Sequence, residues 1–338
     1  MHSLLKLLIL VGLAMPAPTG EWTTATPESQ GISSEKLALA RDFLAQQNTR
    51  AALVVRHGRI VAEWYWDGSG PDSEFDTFST TKSVFGTAIG LLVDDGKLKL
   101  EDPAWRWIPE WRQDGRKAIT IFHLINMISG LSSRAPADLE KDDNRLTRVL
   151  QQPLLYAPGT KYEYNSYAYD CLSTVVRQAS GMEASEFLRR RLSDPIGIKH
   201  ASFGFFKGRT EPSGYLHLSA RDGARFGYLF LQNGRWNGRQ IISPSWVQKV
   251  SCPSNEVNPH CSYLWWVNST GYSEEKTLTP HGWKDLPRDT YSTTGRWGNN
   301  ITVIPSRDLV IVRFVGTGKA ELPPNDYCKL ILDSLVGP

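Results

Sequence analysis

The run Ala51-Ala52-Leu53-Val54-Val55-Arg56, the pair His57-Gly58, and the run Ile60-Val61-Ala62-Glu63-Trp64-Tyr65-Trp66 decide how the rest of the chain is read. Both runs are rich in β-branched and aromatic residues, and a tight turn separates them. This pattern predicts an antiparallel hairpin. A helical pattern with an N-cap signal precedes it over residues 31–47. A helix followed by a hairpin points to a sheet without βαβ crossovers. Strand-like runs return only late, at Tyr263-Leu264-Trp265-Trp266-Val267, at 289–295, at Asn300-Ile301-Thr302-Val303-Ile304 and at Leu309-Val310-Ile311-Val312-Arg313-Phe314. Pro305-Ser306-Arg307-Asp308 turns between the last two, and a helix closes the chain over 325–336.

The middle of the chain has helical spacing. Helices are expected at 83–95 (stopping at Gly96), 120–127, 167–180 (ending at Gly181), 183–192 and 219–232, with one more opening at Ser243-Pro244. The order predicts an α+β fold: an antiparallel sheet built from both ends of the chain, flanked by the N- and C-terminal helices, with a mostly helical lobe inserted. The sheet lobe is placed at about 21–78 and 255–338, and the helical lobe at about 79–254.

The 338 residues are 41% hydrophobic and 22% charged, ordinary globular values for a chain long enough to bury a core without a metal staple. Lys+Arg 38 against Asp+Glu 35 leaves +3 with no basic block, which argues against a nucleic-acid partner. Lys6, the short apolar run 7–14 and the small residues up to Gly20 read as a secretory signal peptide over 1–20. The run is too short to span a bilayer, so no membrane span is expected once it is removed. Cys252 and Cys261 flank a Pro/Asn-rich loop and are placed to close a small disulfide in an oxidising compartment. Cys171 and Cys328 read as buried small hydrophobes. No C-x-x-C or H-E-x-x-H occurs, so no metal site is expected.

Chemistry is most concentrated at Ser79-Thr80-Thr81-Lys82. On a helix, positions i and i+3 share a face. A serine hydroxyl needs an adjacent base to attack a carbonyl, and a lysine can be that base when burial favours its neutral form. Phe78, Val84 and Phe85 supply apolar surroundings, and a serine at a helix start aims its N–H toward a developing oxyanion. S-x-x-K also occurs at Ser33–Lys36 and Ser273–Lys276, but both sit in charged, solvated contexts. Tyr164-Asn165-Ser166 offers a phenol that could shuttle a proton, although Tyr162, Tyr164, Tyr167 and Tyr169 also suit packing. The hydroxyl-rich stretch Thr290-Tyr291-Ser292-Thr293-Thr294-Gly295-Arg296-Trp297-Gly298 reads as a strand whose N–H groups could line a substrate, or as an edge strand and turn. His123, His217 and His281 are scattered, and no G-x-S-x-G elbow accompanies them.

The order of these elements resembles the serine β-lactamase and penicillin-binding superfamily: S-x-x-K at a helix start, a Y-x-[N/S] about eighty residues later, then a Gly-containing strand near the end. Within it the chain is most similar to class C β-lactamase-related hydrolases, including esterases and 6-aminohexanoate-dimer hydrolase-like enzymes. Gly90-Leu91-Leu92-Val93-Asp94-Asp95-Gly96-Lys97-Leu98, Ile128-Ser129-Gly130-Leu131, Ser219-Ala220-Arg221-Asp222-Gly223 and Ile304-Pro305-Ser306-Arg307-Asp308-Leu309 carry the same resemblance. It implies Ser79 as nucleophile, Lys82 as base and Tyr164 as proton relay, with oxyanion N–H groups from Ser79 and Thr293 and no cofactor. Ser166, Gly295, Arg296 and Trp297 fall where the family binds substrate, and Trp297 and Tyr169 are candidates for an apolar acyl pocket. Ser166 stands where true β-lactamases have asparagine, and Thr290 falls at the K-T-G lysine position, so a neutral small ester or linear amide is favoured over a penicillin. The resemblance thus predicts a periplasmic or secreted serine hydrolase. The alternatives are a class C-type β-lactamase or D-Ala-D-Ala peptidase, and a non-catalytic sensor of cell-wall fragments.

Overall fold

The computed structural model describes residues 20–134, 145–206, 208–268, 282–316 and 321–337. Residues 1–19 of the expected signal peptide, the Ser273–Lys276 pair and His281 lie outside the described residues. The hairpin forms from strands Thr49–Arg56 and Arg59–Tyr65, with Ala52 opposite Trp64 and Arg56 opposite Arg59. His57 (φ 49°) and Gly58 (φ 69°) both take left-handed backbone, the turn geometry whose twist matches the strands it joins.

Strand Thr49–Arg56 pairs on its other edge with Leu309–Val315, Val54 opposite Ile311. Both ends of the chain therefore enter one seven-stranded sheet, as the strand order implied. From one edge to the other it runs Cys261–Ser262, Trp265–Val267, Tyr291–Ser292, Asn300–Ile304, Leu309–Val315, Thr49–Arg56 and Arg59–Tyr65. Its paired neighbours are antiparallel. Every residue of Leu309–Val315 is buried, which requires cover on both faces of the sheet. One cover is the helix Ala220–Leu231. A Cβ on its Gly227 would come within 2.6 Å of Val310 and 2.8 Å of Ile301, so only glycine permits this approach. Helices Ser34–Ala45 and Pro324–Asp333 pack on each other beside the sheet.

This corrects the lobe boundary. The sequence pattern assigns residues 220–231 to the helical lobe, but their apolar face closes on the sheet, with Phe226 stacked on Trp265 at 5.6 Å. Helical periodicity identifies an apolar face, not the surface that covers it. The 183–192 helix also differs from expectation: Ala184–Leu188 is α-helical and Arg189–Ser193 opens into a wider π turn. The expected strand 289–295 forms a strand at Tyr291–Ser292 and an isolated bridge from Gly295 to Asn299.

Helix Thr80–Asp94 runs through the interior, with every residue from Thr80 to Leu92 buried, and Gly96 follows in left-handed backbone (φ 67°). Against it lies Ser166–Ser180, capped by Asn165 at its start and ended by left-handed Gly181. No helix among the described residues is long and apolar enough to cross a membrane.

The small disulfide that Cys252 and Cys261 could close is not formed. Cys252 and Cys261 are free, the first exposed and the second buried. Ser262 pairs into the sheet edge and carries Cys261 into the core, while Cys252 ends a helix at the surface. A thiol reagent added to the native protein is expected to titrate about one cysteine, Cys252, and the buried Cys171, Cys261 and Cys328 only after unfolding.

Candidate active site

The nucleophile candidate stands on a constrained turn. Phe78, just before Ser79, has φ 48°, a left-handed conformation that costs an ordinary residue roughly 1–2 kcal/mol. Two side chains hold it there. Phe78 N–H donates to Asp76 Oδ1 (2.8 Å), and Thr81 Oγ1 donates to the Phe78 carbonyl (2.5 Å). Ser79 then occupies the N-cap of helix Thr80–Asp94, yet its side chain caps no backbone N–H. A serine at this position ordinarily uses its hydroxyl as the cap. Here the hydroxyl is left for other partners.

Two side chains reach it. Lys82 Nζ lies 2.9 Å from Ser79 Oγ, and Tyr164 Oη donates to the same oxygen at 2.7 Å. The one-turn spacing of Ser79 and Lys82 produces the first contact. The second requires the segment before helix Ser166–Ser180 to cross the start of the buried helix. Lys82 is 1% exposed, donates to the Ser213 carbonyl as well, and places its Nζ 5.0 Å from the centre of the Tyr164 ring. Tyr164 as a residue is 39% exposed, while its hydroxyl is engaged with Ser79. Burial pushes that phenol up to about 12, against the opposing pull of its hydrogen bond to Ser79. At neutral pH it therefore rests protonated, a donor rather than a phenolate.

The other sequence candidates separate. Asn165 is committed to structure: its Oδ1 accepts from Ala168 N–H, and its Nδ2 donates to the carbonyls of Leu131 (3.2 Å) and Ser132 (2.8 Å). Ser166 opens the helix beside it and is partly exposed. Tyr169 does not line a pocket; it is fully buried and its hydroxyl donates to the Lys82 carbonyl (2.6 Å). Thr290 is 1% exposed and faces the interior. His123 caps the turn at Thr120, and His217 sits opposite Asp76 in a short strand pair.

Thr293 is corrected. Its N–H donates to the Ile301 carbonyl (3.0 Å) within the sheet, so it is not available to an oxyanion. Its side chain instead meets Thr80 Oγ1 at 3.1 Å. Gly295 N–H also turns the same way, to the Asn299 carbonyl (2.7 Å). Strand alternation then directs the N–H of Thr294 to the opposite edge. Among the described residues neither the Thr294 N–H nor the Ser79 N–H has an acceptor. Gly295 is required by contact: a Cβ there would fall 2.2 Å from the Thr77 carbonyl, two residues before Ser79. Trp297 follows in left-handed backbone (φ 63°), with its ring edge-on to Phe78 at 4.8 Å and the Arg296 guanidinium 5.0 Å from it.

Sequence reading missed Ser213, whose contribution is a carbonyl. No residue-type signal marks it beyond the glycine that follows. It also missed Thr294, because a one-residue shift in strand register exchanges the two edges.

The Beta-lactamase family model matches residues 38–326. The chain belongs to this family. A 6-aminohexanoate-dimer hydrolase from Paenarthrobacter ureafaciens is 26% identical over 323 residues, covering 86% of this chain and 79% of that protein. Esterase EstB from Burkholderia gladioli is 29% identical over 214 residues, covering 52% of this chain and about half (54%) of its own length. Among solved structures, a penicillin-binding protein homolog from Caulobacter crescentus superposes with a TM-score of 0.67 at 18% identity, over 89% of this chain and 97% of that one. This last likeness bears on the fold. As a member of the Beta-lactamase family the chain is a serine hydrolase of the β-lactamase fold, related to esterases and amidases.

Proposed function

We propose that the protein hydrolyses small neutral esters or linear amides through an acyl-enzyme on Ser79. The observation that carries this reading is the convergence of Lys82 Nζ (2.9 Å) and Tyr164 Oη (2.7 Å) on Ser79 Oγ. In the proposed cycle Oγ attacks the substrate carbonyl carbon and its proton passes to Lys82 as base. The developing oxyanion is met by the N–H groups of Ser79 and Thr294. Tyr164, protonated at rest, relays a proton to the leaving group, which departs as alcohol or amine. A water then attacks the acyl carbon, its proton following the same relay, and Ser79 is regenerated.

Two features favour a neutral substrate over a β-lactam. The amide beside Tyr164, Asn165, is tied to carbonyls of the fold, and the adjoining position is the small Ser166. Thr290 is buried and offers no charge, and the cation that the turn itself carries is Arg296. Residues 1–20 read as an export signal, and the compartment proposed is periplasmic or extracellular. Residues 21–338 then form the hydrolase domain.

The test compares a short-chain p-nitrophenyl ester with a chromogenic cephalosporin. A missing charge-assisted contact is worth about tenfold or more, so kcat/KM for the ester is expected to exceed that for the cephalosporin by at least that factor. The reverse ratio would identify a β-lactamase or peptidase. Tight binding of cell-wall fragments with turnover of neither would favour the sensor.

A further inference from the structure

The strand Leu309–Val315 is apolar and wholly buried except in chemistry at one place, Arg313, which is 1% exposed. Val310, Val312 and Phe314 face helix Ala220–Leu231, where they meet Gly223 and Gly227. Arg313 points to the other face, 5.9 Å from the centre of the Tyr327 ring. Its hydrogen bonds all go to neutral oxygens. Nε donates to Thr49 Oγ1 (3.1 Å) and one terminal nitrogen to the Gln47 carbonyl (2.8 Å). The other terminal nitrogen donates to the carbonyls of Trp297 (3.0 Å) and Gly298 (2.8 Å).

A buried guanidinium with no ion pair among the described residues is a costly way to fill a strand position that a leucine would satisfy. Its geometry shows what it does there. Trp297 is left-handed (φ 63°, ψ 15°) in the turn, and among the described residues the Trp297 and Gly298 carbonyls meet no backbone donor. One terminal nitrogen reaches both carbonyls while Nε and the other terminal nitrogen anchor the group on Thr49 and Gln47, a three-way arrangement that a single ammonium does not reproduce. That turn is in turn coupled to the nucleophile by two contacts, the Trp297 ring on Phe78 (4.8 Å) and the Gly295 backbone against the Thr77 carbonyl.

We propose that Arg313 is a positioning residue for hydrolysis: it clamps the Arg296–Gly298 turn and so keeps the Thr294 N–H and the Trp297 ring in register with Ser79. This rests on the serine-hydrolase reading above. Arg313 touches no reacting atom; it acts through the turn.

The test measures kcat and KM for the p-nitrophenyl ester, together with the melting temperature, in Arg313→Lys, Thr49→Val and Ile331→Val. Ile331 is buried in helix Pro324–Asp333 and serves as a variant that loses stability alone. Arg313→Lys is expected to lower kcat about tenfold or more with KM within about threefold, because a displaced site slows chemistry more than binding. Thr49→Val, which removes only the Nε partner, is expected to lower kcat by about threefold. Ile331→Val should lower the melting temperature without changing kcat. Wild-type kcat in folded Arg313→Lys and in Thr49→Val, with the effect confined to melting temperature, would overturn the inference. Should Arg313→Lys not fold, Thr49→Val alone decides. Ester turnover that survives in Ser79→Ala is a different result and removes the serine-hydrolase reading itself.

Discussion

Lys82→Met is expected to reduce kcat/KM for a p-nitrophenyl ester by about 10²–10⁴-fold, the range for loss of a positioned acid–base group, in a protein that still folds. Lys82 is 1% exposed, so its four-carbon stem lies in the interior, and methionine fills most of that volume. The Ser213 carbonyl would lose a donor, costing about 1–3 kcal/mol, but the variant no longer has to bury an amine. These terms oppose each other, so the change in melting temperature should be small beside the change in rate. Ser79 keeps Tyr164 as a partner in the variant, yet a protonated phenol donates to Oγ and cannot remove its proton. Steady-state kinetics with a melting curve on the same sample check both halves. Activity within a few-fold of wild type would show that Lys82 is not the base.

Tyr164→Phe is expected to lower kcat by about 10²-fold or more while KM changes little. The substitution keeps the ring, and with it the surface that lies over Lys82 Nζ, and removes only the Oη that donates to Ser79 (2.7 Å). The burial that pushes the phenol up to about 12 penalises its charged form, so the hydroxyl is protonated throughout the neutral range. Its role in the cycle is therefore to donate, most directly to the leaving group, and a poor leaving group needs that proton more. The rate loss should consequently be larger for an alkyl amide than for a p-nitrophenyl ester. Equal losses on both substrates would place Tyr164 outside leaving-group protonation.

The parts of this arrangement differ in how far the sequence reveals them. The hairpin at 49–65 is legible because two β-rich runs and a His-Gly turn leave one local solution. The Ser79–Lys82 pair is legible because helical spacing by itself brings the two side chains together. Tyr164 is legible only through motif order, since nothing local says that residue 164 will cross residue 79. What stayed hidden depends on tertiary placement. Ser213 contributes a carbonyl, which every residue has. Thr293 and Thr294 differ only in which strand edge their N–H groups meet, and pairing with Ile301 decides that. Tyr169 and Trp297 look alike as aromatics near motifs, but one lies beneath the buried helix and the other against Phe78. Arg313 sits in an apolar run that reads simply as a strand, and the use of its charge emerges only when the 296–298 turn is laid over it. The Cys252–Cys261 loop had a suitable length for a disulfide, but strand pairing at the sheet edge buries one thiol and leaves the other outside.

Ser79 matters most, and one comparison tests it directly: p-nitrophenyl ester turnover by the wild-type protein and by Ser79→Ala, each measured before and after treatment with a fluorophosphonate and then peptide-mapped. The expected result is turnover in the wild type alone, with one phosphonyl group on the peptide containing Ser79 and loss of turnover in proportion to labelling. Equal turnover in Ser79→Ala, or full labelling of Ser79 with turnover unchanged, would contradict it.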